Sequence, residues 1–384
     1  MSAARDPSPV VGIVGIHGAY GRWLRAFFED RMGLQVVGHD PAGEDTLPPH
    51  ELVRRADVLI FSTPIRHTPA VIRQYVALAD GVERGRLWMD LTSTKHTPVT
   101  ELLHSQAEVV GLHPMCAPPK TPTLKGRVMA VCPARLDAWR DWLADFLARI
   151  EAECVSVEPS EHDRAMALIQ GLVHAAHMAQ ADVLRELAPS LGGLDRLRPL
   201  RTVGYELDLT VTERILSGNP AIYEDIQFEN PHVLPALDRF AEAIEFLRTN
   251  VRRGGDEARH QVRSRLLARS ADFFGTPTLV GGSHGFERLG YLLVDLESPD
   301  YLSVFLPEDR PGSLRALLAV FERLGVNLAS IHSSRTPDGE LHFRIGLDAA
   351  QVAAMSADEL SMLGASIEAE GIGRVLSGCH LRRE

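Results

Sequence analysis

Three domains in the order α/β, all-α and α/β again are what this 384-residue sequence predicts. Three observations carry that reading. Short apolar runs alternate with helical stretches as far as about residue 156, the mark of a parallel sheet wrapped by helices. From 157 to 275 the strand signal is gone, and apolar residues recur at helical spacing, as in Ala165, Leu168, Ile169, Leu172 and Val173. Beyond a glycine-rich stretch the alternation returns in a βαββαβ order, the ferredoxin-like split unit. The expected bounds are 10–156, 157–275, a linker at 276–297, and 298–384.

In the first domain Val10–Val14, Leu34–Gly38, Val58–Phe61, Leu87–Leu91, Val109–Leu112 and Val128–Cys132 read as strands, being short and apolar. Between them Gly21–Met32, Leu47–Arg55 and Thr68–Leu78 read as helices. In the second, further helices are expected through Leu207–Leu216, Val233–Asn250 and Asp256–Phe274. Phe274-Gly275-Thr276-Pro277 and the Gly281-Gly282-Ser283 cluster then supply breakers, hence the linker. In the third, Tyr301–Leu306, Asn327–Ser334, Leu341–Leu347 and Ile367–Ser377 read as strands, with helices over Gly312–Leu324 and Asp358–Gly364. No internal repeat or low-complexity tract is evident.

Apolar content of 45% with 24% charge is ordinary for a globular protein. The formal charge of −11 argues against non-specific nucleic-acid binding, which needs a basic face. It is compatible with a small anionic substrate, for which one or two local arginines suffice. The four cysteines (Cys116, Cys132, Cys154, Cys379) show no CxxC spacing and read as reduced thiols. The first nine residues lack an apolar targeting core and no run reaches membrane-spanning length, so a cytoplasmic protein is expected.

Gly15, Gly18 and Gly21 follow the first predicted strand and open the first helix. In that context a glycine turn brings backbone N–H groups up to a pyrophosphate, the phosphate site of a Rossmann-type domain. Asp40 closes the second strand 40 − 21 = 19 residues past the last glycine, where a carboxylate bonds the ribose hydroxyls and repels a 2′-phosphate. The expected cofactor is therefore NAD. The G-x-G-x-x-G spacing is broken at its first position, which is Ile16 with a glycine one residue earlier, so the turn is expected to be one residue longer than usual.

Asp90-Leu91-Thr92-Ser93-Thr94-Lys95 and Gly111-Leu112-His113-Pro114-Met115 resemble segments of the bacterial prephenate dehydrogenases of tyrosine biosynthesis. So do Glu161-His162-Asp163, which opens the helical block, and Tyr223-Glu224-Asp225-Ile226 inside it; the resemblance spans residues 10 to about 275. The last domain, with Asp309-Arg310-Pro311-Gly312-Ser313-Leu314 and Gly325-Val326-Asn327-Leu328, is similar to an ACT regulatory domain. What the resemblance implies is a homodimer, paired through the helical block, that catalyses an oxidative decarboxylation. Prephenate passes its C4 hydride to NAD, loses carbon dioxide and becomes 4-hydroxyphenylpyruvate.

On that reading His113 accepts the substrate's hydroxyl proton, a role that suits an imidazole titrating near neutrality. Ser93 bonds both His113 and that hydroxyl. Arg214 falls where the family's substrate-binding arginine lies, and its planar fork suits a carboxylate; without the resemblance it reads as an exposed helix arginine. Lys95 is a second candidate cation for the substrate, or equally a solvated loop lysine. His174 matches a histidine of the family's cleft. His174 and His177 sit three residues apart, but nothing at matching spacing completes a metal site, so no metal is expected. His162 and Asp163 read as a helix-start pair with a structural role.

Two departures stand out. Cys116-Ala117-Pro118-Pro119-Lys120 replaces the family's aromatic, Gly-Pro pair and acid, with Lys120 a candidate replacement cation. Glu206 stands eight residues before Arg214 where relatives can carry an arginine. Arogenate, which bears an ammonium in place of the keto group, thus stays open as an alternative substrate. Another class of reading is a non-catalytic amino-acid sensor on a dehydrogenase frame, motivated by Ile16 and the 116–120 stretch; the joint presence of Ser93, His113 and Arg214 opposes it. With no helical block before residue 10, no fused chorismate mutase is expected. In the ACT-like domain Pro311, Gly312 and Asn327 are the positions expected to hold an amino-acid effector, tyrosine as the end product, although the same residues equally make an ordinary turn.

Overall fold

The computed structural model describes residues 8–43, 46–119, 121–298, 300–307, 310–335 and 341–378. The chain forms two compact units, the first reaching Val262 and the second taking the described residues from Arg263 onward together with 121–122.

The first unit opens on a seven-stranded sheet. Its strands are β1 (Val11–Val14), β2 (Val36–His39), β3 (Val58–Phe61), β4 (Leu87–Asp90), β5 (Glu108–Pro114), β6 (Val128–Arg135) and β7 (Glu153–Ser156), in the order β2-β1-β3-β4-β5-β6-β7. Strands β1 to β5 pair in parallel, as expected. Every residue of β1, β3 and β4 is buried, because helices cover both faces of the sheet. Strand alternation then divides the core: Val58 and Ile60 pack with Phe28 and Phe146, while Leu59 and Phe61 pack with Ile72 and Tyr75.

The sheet is not parallel throughout, since β6 runs antiparallel to β5. Among the described residues no helix lies between Pro114 and Val128 to carry the chain back across the sheet, and without a crossover the next strand must reverse. All four residues of β7 are exposed, which removes the apolar signal a sequence reading needs. The helices His96–Leu102 and Arg140–Ile150 also go beyond the sequence reading.

The helical block follows. Pro159–Met166 continues through wider turns at 167–172 into Val173–Leu187. Val203–Leu216 starts where the Thr202 side chain accepts from the Tyr205 N–H. Asn219-Pro220 is not merely a turn: Asn219 accepts from the Ala221 N–H and Pro220 opens the helix Pro220–Phe228. Val233–Arg253 and Gly255–Val262 complete the unit.

In the second unit residues 276–297, expected as a linker, form one helix, Thr276–Glu297. Each of its glycines costs about 1 kcal/mol of helix propensity, yet Pro277 is at home in a first turn. The Arg344 guanidinium also donates to the carbonyls of Asp295, Leu296 and Ser298 at 3.1, 3.0 and 2.8 Å, closing the helix's far end. The βαββαβ unit then runs β8 (Tyr301–Leu306), helix Ser313–Arg323, β9 (Leu328–Arg335), β10 (Leu341–Leu347), helices Ala349–Ala354 and Ala357–Ala369, and β11 (Arg374–Gly378). Its antiparallel sheet has the order β11-β8-β10-β9. The last strand is shorter than expected. A capping box between Ser356 and Glu359 starts a helix in which Leu360, Leu363, Gly364 and Ile367 form the buried stripe, so Ile367 belongs to that helix. No helix among the described residues is long and apolar enough to cross a membrane.

Candidate active site

Past β1 the chain turns through Gly15 at φ +85°, where a Cβ would lie 2.3 Å from the Ser62 carbonyl oxygen. A Cβ at Gly21 would lie 2.1 Å from the Gly15 carbonyl oxygen, so neither position admits a side chain without moving backbone. Gly18 donates to that same carbonyl at 3.0 Å and precedes the helix Ala19–Ala26, whose N-terminus no side chain caps. Uncapped N–H groups at a helix start are what a pyrophosphate binds. Ile16 turns the other way, into the core against Gly38, where a Cβ would meet its Cδ1 at 2.5 Å. The odd spacing is therefore a packing feature, and Ile16 takes no part in the phosphate face. Asp40, just past β2, accepts from the N–H groups of His17 (3.1 Å) and Ala42 (3.0 Å), which holds its carboxylate beside the turn. The turn and Asp40 together fit a dinucleotide.

Three strands from β1, β5 carries His113 at its buried end, 2% exposed. Beneath it lies Lys95. This residue, expected as a substrate cation or equally as a solvated loop lysine, is fully buried instead: its ammonium donates to the Asp90 carboxylate and, at 2.7 Å, to the Leu112 carbonyl. The correction has a plain cause. A desolvated ammonium is tolerable only with an opposite charge and acceptors around it, and Asp90 at the end of β4 supplies the charge. Gly111 makes the room, since a Cβ there would come within 3.0 Å of the Lys95 stem.

Ser93 is half-buried in the turn after β4. Among the described residues no hydrogen bond joins it to His113. The ring nitrogens of His113 face other partners: Nδ1 lies 2.9 Å from His162 Nε2, and Nε2 lies 3.4 Å from the Gln170 side-chain nitrogen. His162 Nδ1 is 2.8 Å from Asp163 Oδ1. That carboxylate also accepts from the backbone N–H groups of Lys95 (2.7 Å) and His96 (2.9 Å), so it closes the N-terminus of the helix His96–Leu102 from outside. His162 and Asp163, expected as a helix-start pair, tie the helical block to this turn, and His162 also touches His113.

Burial, and then the proximity of His162 and of the Lys95 ammonium, push the His113 imidazole well below its ordinary range. It is neutral at neutral pH and able to accept a proton. For Asp163 burial works in the opposite sense, but the hydrogen bonds from His162, His96 and Lys95 outweigh it and hold the carboxyl below its usual range.

The helical block supplies the rest. Gln170 and His174 lie one turn apart, and the His174 ring meets the Tyr223 ring edge-on with centroids 5.0 Å apart. Burial, then the nearby His177, lowers the His174 imidazole, and its buried Nδ1 has no partner among the described residues. The Tyr223 hydroxyl reaches the Arg214 carbonyl at 3.5 Å. Arg214 itself is exposed, and its guanidinium pairs with no carboxylate among the described residues. Gln170 and Tyr223 thus link His113, His174 and Arg214. Neither was predicted from sequence as a site residue. The next residues of the Tyr223–Ile226 motif, Glu224 and Asp225, are both engaged by the Arg66 guanidinium, which ties the turn after β3 to the helical block. The Arg66 main-chain N–H adds a bond to Asp225 at 3.1 Å.

Other expected positions behave differently. His177 is taken by the Val173 carbonyl at 2.8 Å and lies 3.6 Å from Asp208, and no group of residues able to hold a metal occurs among the described residues. The Cys116 carbonyl accepts from the Tyr20 hydroxyl at 2.6 Å, while Lys120 lies outside the described residues. In the second unit the Pro311-Gly312 turn precedes the helix Ser313–Arg323 and Asn327 follows it. The 11-residue helix separates them by about 16 Å, so the three do not converge on one site within a chain. The backbone of Asn327 is held by the Gln351 side chain at 2.8 Å.

With this geometry in hand the likeness to known proteins can be stated. Residues 41–156 match the nucleotide-binding domain of prephenate dehydrogenases, 158–264 their dimerization domain, and 301–351 an ACT domain. The first match begins just past the glycine turn and Asp40, so the reading of that turn rests on its own geometry. The T-protein of Enterobacter agglomerans is 31% identical over 283 residues, 69% of this chain and 72% of that protein. A protein of Methanocaldococcus jannaschii named as a probable arogenate/prephenate dehydrogenase is 28% identical over 314 residues, 76% of this chain and 67% of its own length. In fold, the crystal structure of prephenate dehydrogenase from A. aeolicus, solved with hydroxyphenyl propionate and NAD+, covers 70% of this chain and 99% of its own at a TM-score of 0.54 and 20% identity.

Proposed function

The chain belongs to the prephenate dehydrogenase family, and on that premise we propose that it oxidises prephenate to 4-hydroxyphenylpyruvate with NAD. The observation that carries the proposal is His113, a buried neutral imidazole whose Nε2 faces the side of the helical block that bears Gln170 and His174. NAD, when bound, supplies the hydride acceptor; Gly15, Gly18, Gly21 and Asp40 are the residues that would hold it. His113 takes the proton of the substrate hydroxyl at Nε2 as the C4 hydride leaves. The C–C bond pair of the departing carboxylate then enters the ring, which becomes aromatic as carbon dioxide is lost, and the phenolate oxygen takes back the proton that His113 held. Arg214 receives a substrate carboxylate, Ser93 bonds the reacting hydroxyl, and His174 lines the cleft.

A keto side chain is favoured over an amino-acid one by Glu206. An ammonium would seek a free carboxylate, and this one is held by Arg201 at 3.0 Å. The apolar side chains that the helical block leaves exposed, Phe228 at 84% among them, support pairing with a second copy. The ACT-like unit is the proposed site of a tyrosine effector, and inhibition by tyrosine that survives removal of residues 298–384 would place it elsewhere.

The test is NADH formation by purified protein offered prephenate and arogenate in parallel. Turnover with prephenate alone, or far faster, supports the reading. A preference for arogenate moves specificity to the segment around Cys116, and silence with both in folded protein overturns the proposal.

A further inference from the structure

We infer that His162 and Asp163 are positioning residues for His113: together they fix its neutral tautomer, so that the Nε2 lone pair faces the reacting hydroxyl. The inference rests on the reading of His113 as the base. It starts from Asp163, whose carboxylate can only accept. Three N–H donors converge on it, those of Lys95 (2.7 Å), His96 (2.9 Å) and the His162 ring (2.8 Å). The proton of the His162 ring is therefore on Nδ1. With His162 neutral, as the proposal takes it, its ring carries one N–H, which leaves His162 Nε2 as an acceptor. At 2.9 Å from it, His113 Nδ1 must be the donor. The remaining nitrogen, His113 Nε2, then holds a lone pair, and only a donor can approach it. Gln170 presents its amide nitrogen there at 3.4 Å, long enough for a substrate hydroxyl to take its place.

The rings meet edge-on, 73° apart, so each nitrogen points along the chain of bonds. All three residues are at most 2% exposed, and solvent cannot stand in for a missing partner. The same carboxylate anchors the backbone two residues after Ser93, so one group sets both the Ser93 turn and the His113 ring. When the hydroxyl proton moves to Nε2, the new charge on His113 is met through the His162 ring by the Asp163 anion. Nothing else is consumed: one O–H bond breaks and one N–H bond forms.

The test uses full-length protein labelled with ¹⁵N-histidine, in which the His113 resonances are assigned by their loss in His113→Asn. The wild type should show His113 neutral with its proton on Nδ1. In His162→Leu that tautomer should be lost, with kcat for ring oxidation down about 10²- to 10⁴-fold and KM within a few-fold. His162→Gln supplies a carbonyl oxygen to accept from His113 Nδ1 and an amide N–H for Asp163. It should therefore keep the tautomer and hold kcat within about tenfold of wild type. Asp163→Asn keeps one acceptor oxygen but sets an amide N–H against the other backbone N–H and is prone to unfold, which is why the His162 pair carries the test. A wild-type proton on Nε2, or a His162→Leu protein with unchanged tautomer and turnover, overturns the inference. So do equal kcat losses in both His162 variants with the tautomer intact. If the wild type is inactive on both ring acids but its tautomer responds as described, the positioning stands and the proposed activity falls.

Discussion

The glycine turn and the histidine chain occupy the same unit and are built by opposite means. The turn is backbone: Gly15, Gly18 and Gly21 lie within seven residues, and what matters is the absence of a Cβ where the Gly15 and Ser62 carbonyls come close. The histidine chain is side chain: His113 comes from β5, His162 and Asp163 from the first helix of the helical block, and Lys95 and Asp90 from β4 and the turn after it. The first kind of site fails when atoms are added. The second fails when atoms are removed, because its buried polar groups have one another in place of water.

That contrast can be broken in order of expected effect. His113→Asn should lower kcat by about 10²- to 10⁴-fold with KM nearly unchanged; wild-type turnover in steady-state assays would take His113 out of the chemistry. Lys95→Met should destabilise the unit by about 3–5 kcal/mol in denaturant unfolding, since it leaves Asp90 buried without its counter-charge. Adding Asp90→Asn should recover part of the loss. A substrate-binding lysine would instead move KM and leave stability alone. Gly21→Ala should cost about 1–3 kcal/mol of local strain and weaken NAD binding at least about tenfold in a fluorescence titration. It should leave the His113 resonances in place; a change there would show that the two sites are not independent.

Two smaller effects sharpen the comparison. Arg214→Ala should raise KM for prephenate about tenfold with little change in kcat, because a carboxylate contact is made in ground and transition state alike. An unchanged KM returns Arg214 to the solvated surface. The last effect is in pH. The unfolded chain protonates its histidines near about pH 6.5, whereas folded His113 resists until well below its ordinary range. The stability it contributes is therefore full above that pH and is lost as pH falls toward the lowered folded value. Melting temperatures at about pH 7.5 and about pH 5 should differ less in His113→Asn than in wild type; an equal difference would mean the acid sensitivity lies elsewhere.

Much of this was legible in the chain itself. β3, β8 and β10 fall on the residues expected, because a run such as Val58-Leu59-Ile60-Phe61 admits few other fates. The glycine turn and Asp40 were legible because backbone geometry and local spacing are properties of neighbours in sequence. β7 was not, for its four residues are exposed, and neither was the helix at 276–297, whose glycines read as breakers while an arginine 49 residues beyond Asp295 closes its end.

The catalytic side divides in the same way. Sequence by itself determined the domain order, the nucleotide-binding turn and the candidacy of His113. Only the tertiary structure decided that Lys95 braces a strand instead of meeting a ligand, that Gln170 and Tyr223 join the site, and that His162, backed by Asp163, reaches His113 from 49 residues away. Lysine, histidine and aspartate are each at home in solvent, on a helix start or in a buried pair. Which fate they meet depends on what the packed chain places within 3 Å of them, and local spacing carries no record of that.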